Sequence, residues 1–363
     1  MNVQTLATQG VQGLTPYQPG KPISELEREL GIQNITKLAS NENPIAWPQS
    51  VKDAIQAELA DGTRYPDGGG FALKAKLAER LNVEMNQMTL GNGSNDVLEM
   101  IGRVFTNPGE AIMYSQYAFA VYPITAQVVG AEAIEVPAKN WGHDLDAMAE
   151  AITDNTKVIY IANPNNPTGT FIPGSEIESF LAKVPSHVIV VLDEAYTEYL
   201  SDMDRYNSFD WLDAYPNLII TRTFSKAYGL ASLRVGFAVS SAEIADLINR
   251  VRQPFNVNSM ALAAATAVLD DADYLKAGVD LNNSGMEQLI AGLEAFDFEP
   301  IPSKANFICV DMKQPGPALY QKLLHQGVIV RPVANYGLAN HLRISIGTES
   351  ENAAFIMALT EVL

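Results

Sequence analysis

Between about residues 50 and 240 the chain alternates short apolar runs with longer amphipathic ones. The short runs are Ala111–Ser115, Ala131–Val136, Lys157–Ala162, His187–Leu192, Leu218–Thr223 and Val235–Ser240. Several are β-branched and continuous rather than alternating, which is how strands covered on both faces read. Helical stretches such as Gly174–Lys183 separate many of them. That rhythm predicts an α/β fold with a large, mostly parallel sheet wrapped by helices. After about residue 260 the pattern changes. An apolar helix over Ala261–Leu269 and a second helix over Tyr274–Phe296 precede short strands near Ala305–Asp311, Val328–Arg331 and Leu342–Ile346, which reads as a smaller α+β unit. At the start, a Pro/Gly-rich stretch (Leu14–Pro22) leads into a helix over Ile23–Leu30, with Ser24 as its predicted N-cap. The expected division is an N-terminal arm with part of the small domain (1–48), a large domain (49–258) and a small C-terminal domain (259–363).

Composition narrows the function classes. At 363 residues, 47% hydrophobic and 18% charged, the chain has ample material for a buried core and none of the signature of disorder. Lys and Arg number 24 against 42 Asp and Glu, and that surplus of negative charge argues against nucleic acid as a partner. The apolar stretch Ala261–Leu269 falls far short of the ~20 residues a membrane helix needs, so no membrane association is expected. A single cysteine, Cys309, forbids an internal disulfide and suits a reducing compartment. With no basic, apolar leader at Met1, a cytoplasmic location is expected. The four histidines, His143, His187, His325 and His341, have no ligand spacing, so no metal site is expected and they read as structural, His187 as packed at a strand start.

Ligands of an open parallel sheet sit beyond the carboxyl ends of its strands. Three polar segments follow predicted strands there: Asn163–Gly169, Asp193–Tyr196 and Phe224–Lys226. A fourth, Gly91-Asn-Gly-Ser-Asn-Asp96, opens an amphipathic helix whose free N–H groups could seat an anion. Taken alone it reads equally as a structural turn, because Asp96 stands where a dinucleotide fingerprint has its third glycine. Singly, Asp193 would be a cap or ion-pair partner and Lys226 a solvated surface cation. Together they supply what a pyridoxal-phosphate site requires: an amine, a carboxylate for the ring nitrogen, donors to the phenolate and a phosphate cup.

The segments Asn165-Asn-Pro-Thr-Gly169, Asp193-Glu-Ala-Tyr196 and Thr223-Phe-Ser-Lys-Ala-Tyr-Gly-Leu-Ala-Ser-Leu-Arg-Val-Gly236 resemble the signatures of fold-type-I pyridoxal-phosphate aminotransferases. Leu38-Ala-Ser-Asn-Glu-Asn-Pro44, Arg64-Tyr-Pro-Asp-Gly68 and Leu342-Arg-Ile-Ser-Ile-Gly347 extend the resemblance, over almost the whole chain, to the histidinol-phosphate aminotransferases. The resemblance implies that the large domain binds pyridoxal 5'-phosphate, with Lys226 covalently joined to it, Asp193 on the pyridine nitrogen, and Asn166 and Tyr196 on the phenolate oxygen. Gly93, Ser94, Asn95, Thr223, Ser225 and Arg234 would hold the phosphate, and Tyr117 would stack on the ring. Tyr65 would reach a neighbour's phosphate, which implies a homodimer with shared sites. The family often has an acidic residue where this chain has Ser94-Asn95.

The implied reaction is transamination between L-histidinol phosphate plus 2-oxoglutarate and imidazole acetol phosphate plus L-glutamate, in histidine biosynthesis. Histidinol phosphate carries a phosphate and glutamate two carboxylates, so one cationic site must serve both. Arg343 is the candidate, with Arg331 beside it; Arg331 reads equally as a surface ion pair. Tyr17 matches a family position near the substrate phosphate and Asn43 lies in a loop that lines the pocket, and either could be structural. Rival readings on the same scaffold are an aromatic amino-acid aminotransferase and a threonine-phosphate decarboxylase. A pyridoxal-phosphate-binding regulator would need an appended basic segment that is not present.

Overall fold

The computed structural model describes residues 2–363. Its strands are β1 (Thr36–Lys37), β2 (Met88–Gly91), β3 (Ala111–Ser115), β4 (Glu132–Val136), β5 (Thr156–Ala162), β6 (Ile189–Asp193), β7 (Leu218–Thr223), β8 (Gly236–Val239), β9 (Pro300–Ile301), β10 (Phe307–Asp311), β11 (Val328–Ile329), β12 (Arg331–Pro332) and β13 (His341–Ser345). Seven of them form one sheet in the order β2-β8-β7-β6-β5-β3-β4. All its neighbours pair in parallel except β8, which runs against both β7 and β2. The link 224–235 holds only a turn and the 3-10 turn Ala231–Leu233, so there is no crossover helix to reverse direction again. The apolar runs therefore mark β3 to β8 correctly, while β2, with only Met88 and Leu90 as large apolar residues, does not stand out.

Both faces of the central strands are covered, which is why β3, β5, β6 and β7 read as continuous apolar runs, while the edge strand β4 is largely exposed. Along β5, Ile159 and Ile161 enter one core with Leu73, Phe180 and Ala264, and Val158 and Tyr160 enter the other with Ile101, Tyr122 and Ile248. The helix Ser259–Val268 packs into the first of these cores through Ala261, Ala264 and Val268.

A second sheet, β12-β13-β10-β9, is antiparallel throughout. One face buries Ile308, Val310, Leu342 and Ile344 against Leu289, Leu319 and Phe355. The parallel pair β1 and β11 ties the N-terminal segment to this unit, and Ser345 N donates to Leu38 O at 2.9 Å. The predicted strand Val328–Arg331 is thus split between two sheets. Two local expectations are corrected. The helix Ile23–Leu30 forms, but Pro22 holds the N-cap position and Ser24 lies inside the helix; the Pro22 carbonyl accepts from the N–H groups of Glu25 and Leu26. His187 is exposed in the turn before β6 rather than packed. Among the described residues no helix is long and apolar enough to cross a membrane.

Candidate active site

Strand alternation decides what reaches the cavity. On β7, Ile219, Thr221 and Thr223 share one face, and Arg222 points to the other. On β6, Asp193 follows Val191 on the same side as Thr221. In the small sheet, Leu342 and Ile344 are in the core, so Arg343 and Ser345 point away from it. These faces converge on a cavity of about 250 Å³ that also takes in the loops after β1 and β5 and the start of the helix Ser94–Phe105.

Asp193 and Lys226 both line it. The Asp193 carboxylate is buried and accepts from Tyr122 Oη at 2.8 Å and Thr221 Oγ1 at 3.1 Å. Burial raises its pKa to about 6, against the opposing pull of those two hydrogen bonds. The Lys226 amine donates to the Ser40 carbonyl at 3.1 Å, and burial followed by the charge of Arg343 pushes its pKa down to about 8. Tyr196 Oη accepts from Asn41 Nδ2 at 3.0 Å and from Asn166 Nδ2 at 3.2 Å. With both acceptor sites used, its own proton has no partner among the described residues.

The cavity has two cationic ends. At one, Ser94 and Asn95 begin a helix, and Arg234 donates to Ser225 Oγ at 3.2 Å beside Thr223. Gly93 sits there with φ +85°, and a Cβ on it would lie 2.5 Å from the Arg234 guanidinium, so that close approach requires glycine. At the other end, β12 and β13 set Arg331 directly opposite Arg343. Arg343 is buried, donates to Asn166 Oδ1 and to the Ala39 carbonyl at 2.9 Å, and leaves Nε unpartnered. Arg331 is also buried, with its guanidinium 5.6 Å from the Tyr17 ring. Neither arginine has a carboxylate partner among the described residues. The surface ion pair considered for Arg331 is not formed among the described residues.

Most of the expected residues thus meet: Tyr17, Ser94, Asn95, Asn166, Asp193, Tyr196, Thr223, Ser225, Lys226, Arg234, Arg331 and Arg343 line the cavity, and Gly93 abuts Arg234. Three do not. Tyr117 has a left-handed backbone (φ +60°) that carries its ring toward Trp141, 5.7 Å away, and Phe119 lines the cavity instead. Asn43 is occupied with backbone, donating to Ala227 O at 2.9 Å and accepting from Ile45 N, while Asn41 of the same loop faces the cavity. Tyr65 is 81% exposed and stacks on Phe255, outside this chain's cavity. Sequence reasoning also missed Tyr122 and Thr221; the three-residue step from Phe119 to Tyr122 at a helix start was the available signal.

A lysine, a buried acid and two arginine-bearing ends thus meet beyond the strand ends of a mostly parallel sheet, and the comparisons name the class: the chain belongs to the class I and II aminotransferases, whose family model matches residues 33–359. It is 59% identical to a Pseudomonas fluorescens protein named histidinol-phosphate aminotransferase 2, over 99% of this chain and 97% of that one. It is 57% identical to histidinol-phosphate aminotransferase 1 of Mannheimia succiniciproducens, over 98% of each. Among solved structures, it superposes with a TM-score of 0.90 on the histidinol-phosphate aminotransferase of Sinorhizobium meliloti in complex with pyridoxal-5'-phosphate, at 29% identity, covering 98% of this chain and 97% of that one.

Proposed function

We propose that the chain is a pyridoxal-phosphate-dependent transaminase that exchanges the amino group of L-histidinol phosphate with 2-oxoglutarate, giving imidazole acetol phosphate and L-glutamate, in the cytoplasmic synthesis of histidine. The observation that carries this reading is the cavity with an anion seat at each end and Lys226 and Asp193 between them. One seat suits a cofactor phosphate, and the other suits the phosphate of one substrate or a carboxylate of the other.

The residues fit the cofactor. The unpartnered Tyr196 proton suits a phenolate oxygen, and the glycine at 93 lets Arg234 close over a phosphate. Ser94 and Asn95 backbone N–H groups, Thr223, Ser225 and Arg234 would hold that phosphate. Asp193 would keep the ring nitrogen protonated, Asn166 and Tyr196 would bind the phenolate oxygen, and Phe119 would cover the ring face. Bound there, pyridoxal phosphate supplies an electron sink for the carbon that loses a proton. Lys226 would anchor it and would hold and move that proton at Nζ. With its pKa pushed down to about 8 by burial and by Arg343, Lys226 is neutral near pH 7 far more often than an ordinary lysine, as a general base must be.

Arg331 and Arg343 would grip the substrate anion. Two like charges across a strand pair repel, and a shared anion removes that cost. Tyr17 lines the cavity with its ring 5.6 Å from the Arg331 guanidinium. We further propose that the chain acts as a homodimer, with exposed Tyr65 reaching a second copy, and that it divides as 1–48, 49–258 and 259–363, the helix Ser259–Val268 packing with the large unit.

A half-reaction screen tests the function. The purified chain loaded with pyridoxal phosphate should lose its visible absorbance on adding histidinol phosphate or glutamate, and far more slowly with phenylalanine. Faster conversion by phenylalanine would make it an aromatic aminotransferase, and carbon dioxide release without a keto acid would make it a decarboxylase.

A further inference from the structure

Tyr122 stands outside the cavity, yet it is fully buried and its hydroxyl touches the carboxylate that the cofactor reading places on the ring nitrogen. We infer that Tyr122 is a positioning residue for Asp193, fixing the rotation of its carboxylate and holding it as an anion; the inference rests on the cofactor reading above.

A carboxylate with 4% exposure and no cation bonded to it favours the neutral form. Its ionisation depends on the donors it finds. Thr221 serves one oxygen and Tyr122 the other, with the Ala195 backbone adding a weaker contribution. Tyr122 can only donate in this pair. Burial and the adjacent Asp193 hold its own proton far more tightly than usual.

The hydroxyl is also immobile. The Tyr122 ring stacks on Tyr160 at 4.6 Å with planes 6° apart and meets Phe119 edge-on at 5.9 Å. Tyr160 is itself tied by its hydroxyl to the Leu98 carbonyl at 2.8 Å. Two donors at two oxygens define the carboxylate plane, so the rigid ring stack fixes the direction in which Asp193 addresses the cavity. Phe119 and Tyr122 enter from one helix start, so a single turn sets both the cover of the ring face and the anion at the ring edge.

The balance is close. At a pKa of about 6 Asp193 is mostly ionised at pH 7. Losing one hydrogen bond to a charged acceptor moves a pKa by roughly 1–2 units, enough to leave the group largely neutral there.

The test uses Tyr122→Phe, with Tyr160→Phe as the packing control. Asp193 is titrated in each cofactor-free chain by carboxyl infrared difference against Asp193→Asn, and pyridoxal phosphate binding is followed by absorbance at pH 6.5 and 8.5. Tyr122→Phe should raise the Asp193 titration by about one unit or more and weaken cofactor binding about tenfold at pH 6.5, with a much smaller loss at pH 8.5. Tyr160→Phe should match the wild type in both. Thr221→Val, which removes the donor on the other oxygen, repeats the test if Tyr122→Phe is recovered unfolded. An unmoved Asp193 titration, an equal loss at both pH values, or the same loss in Tyr160→Phe would overturn the inference while wild-type binding leaves the cofactor reading intact. A wild-type chain that binds no pyridoxal phosphate would overturn both.

Discussion

Arg222, half-buried on the large sheet, and Arg343, buried on the small one, live differently. Arg222 meets its counter-charge inside the fold: Nε and Nη2 reach Glu194 Oε2 at 3.0 and 2.8 Å, and the guanidinium lies 4.6 Å from the Phe209 ring. Arg343 meets amide and carbonyl oxygens only, keeps one N–H unpartnered, and faces a second arginine across the strand pair. The same contrast separates Asp193 from Glu194, adjacent in sequence and turned to opposite faces of the sheet. A fold that neutralises one buried pair and leaves the other charges open has reserved the open ones for something that arrives from outside. Buried charge is thus a functional signal when its partner is absent and a structural one when its partner is present.

The largest effect belongs to the reacting group that the open charges surround. Lys226→Ala should abolish turnover and the borohydride-reducible visible chromophore while the chain still folds, because among the described residues the lysine amine hydrogen-bonds to a single carbonyl. Retained transamination by a stopped assay would remove the cavity from the functional side of the comparison. On the structural side, Arg222→Ala strands Glu194, which is fully buried, and should cost about 3–5 kcal/mol of stability in a denaturant titration. A loss below about 1 kcal/mol would mean that the closed pair is no more structural than the open one.

Arg343→Ala is the crossed experiment. It should weaken histidinol phosphate and glutamate alike, by ~2–5 kcal/mol in kcat/KM, since the substrate anion is left buried without its partner. Folding stability should hold or rise, because the repulsion with Arg331 disappears. If one half-reaction alone suffers, two separate anion sites exist and the shared seat is wrong.

What the sequence made legible follows the same line. Lys226 and Asp193 stood out because apolar runs locate strand ends and the loops beyond them carry the polar residues, whereas Asn166 and Arg234 were singled out only by the resemblance of their motifs. Tyr117 was misplaced by two positions because a left-handed residue, which no apolar pattern announces, turns the chain before the helix and hands the cavity to Phe119. Asn43 was preferred to Asn41 for a similar reason, since two asparagines two apart in one loop differ only in what the fold lets them touch. The burial of Arg331 was invisible, because it depends on a two-residue strand pairing with β13. Tyr122 left only the three-residue step from Phe119 as a signal, because its contact with Asp193 exists only where helix and sheet meet.

The smallest predicted effect probes the open carboxylate itself. Asp193 titrates near 6 in the fold against an ordinary 3.8, so the folded chain binds that proton more tightly than the unfolded chain does. Stability from this group is therefore present in full below about pH 4 and is lost as pH rises through 6. Asparagine keeps the shape, can still accept from Tyr122, and has no charge to bury. Cofactor-free Asp193→Asn should accordingly be more stable than the wild type at pH 7.5 by roughly 2–3 kcal/mol, the worth of about two pKa units, and no more stable at pH 4. Paired urea titrations at the two pH values read the difference directly. A gain that persists unchanged at pH 4 would attribute it to packing, and no gain at pH 7.5 would mean that the carboxylate is ionised without cost and that the cavity holds no charge in reserve.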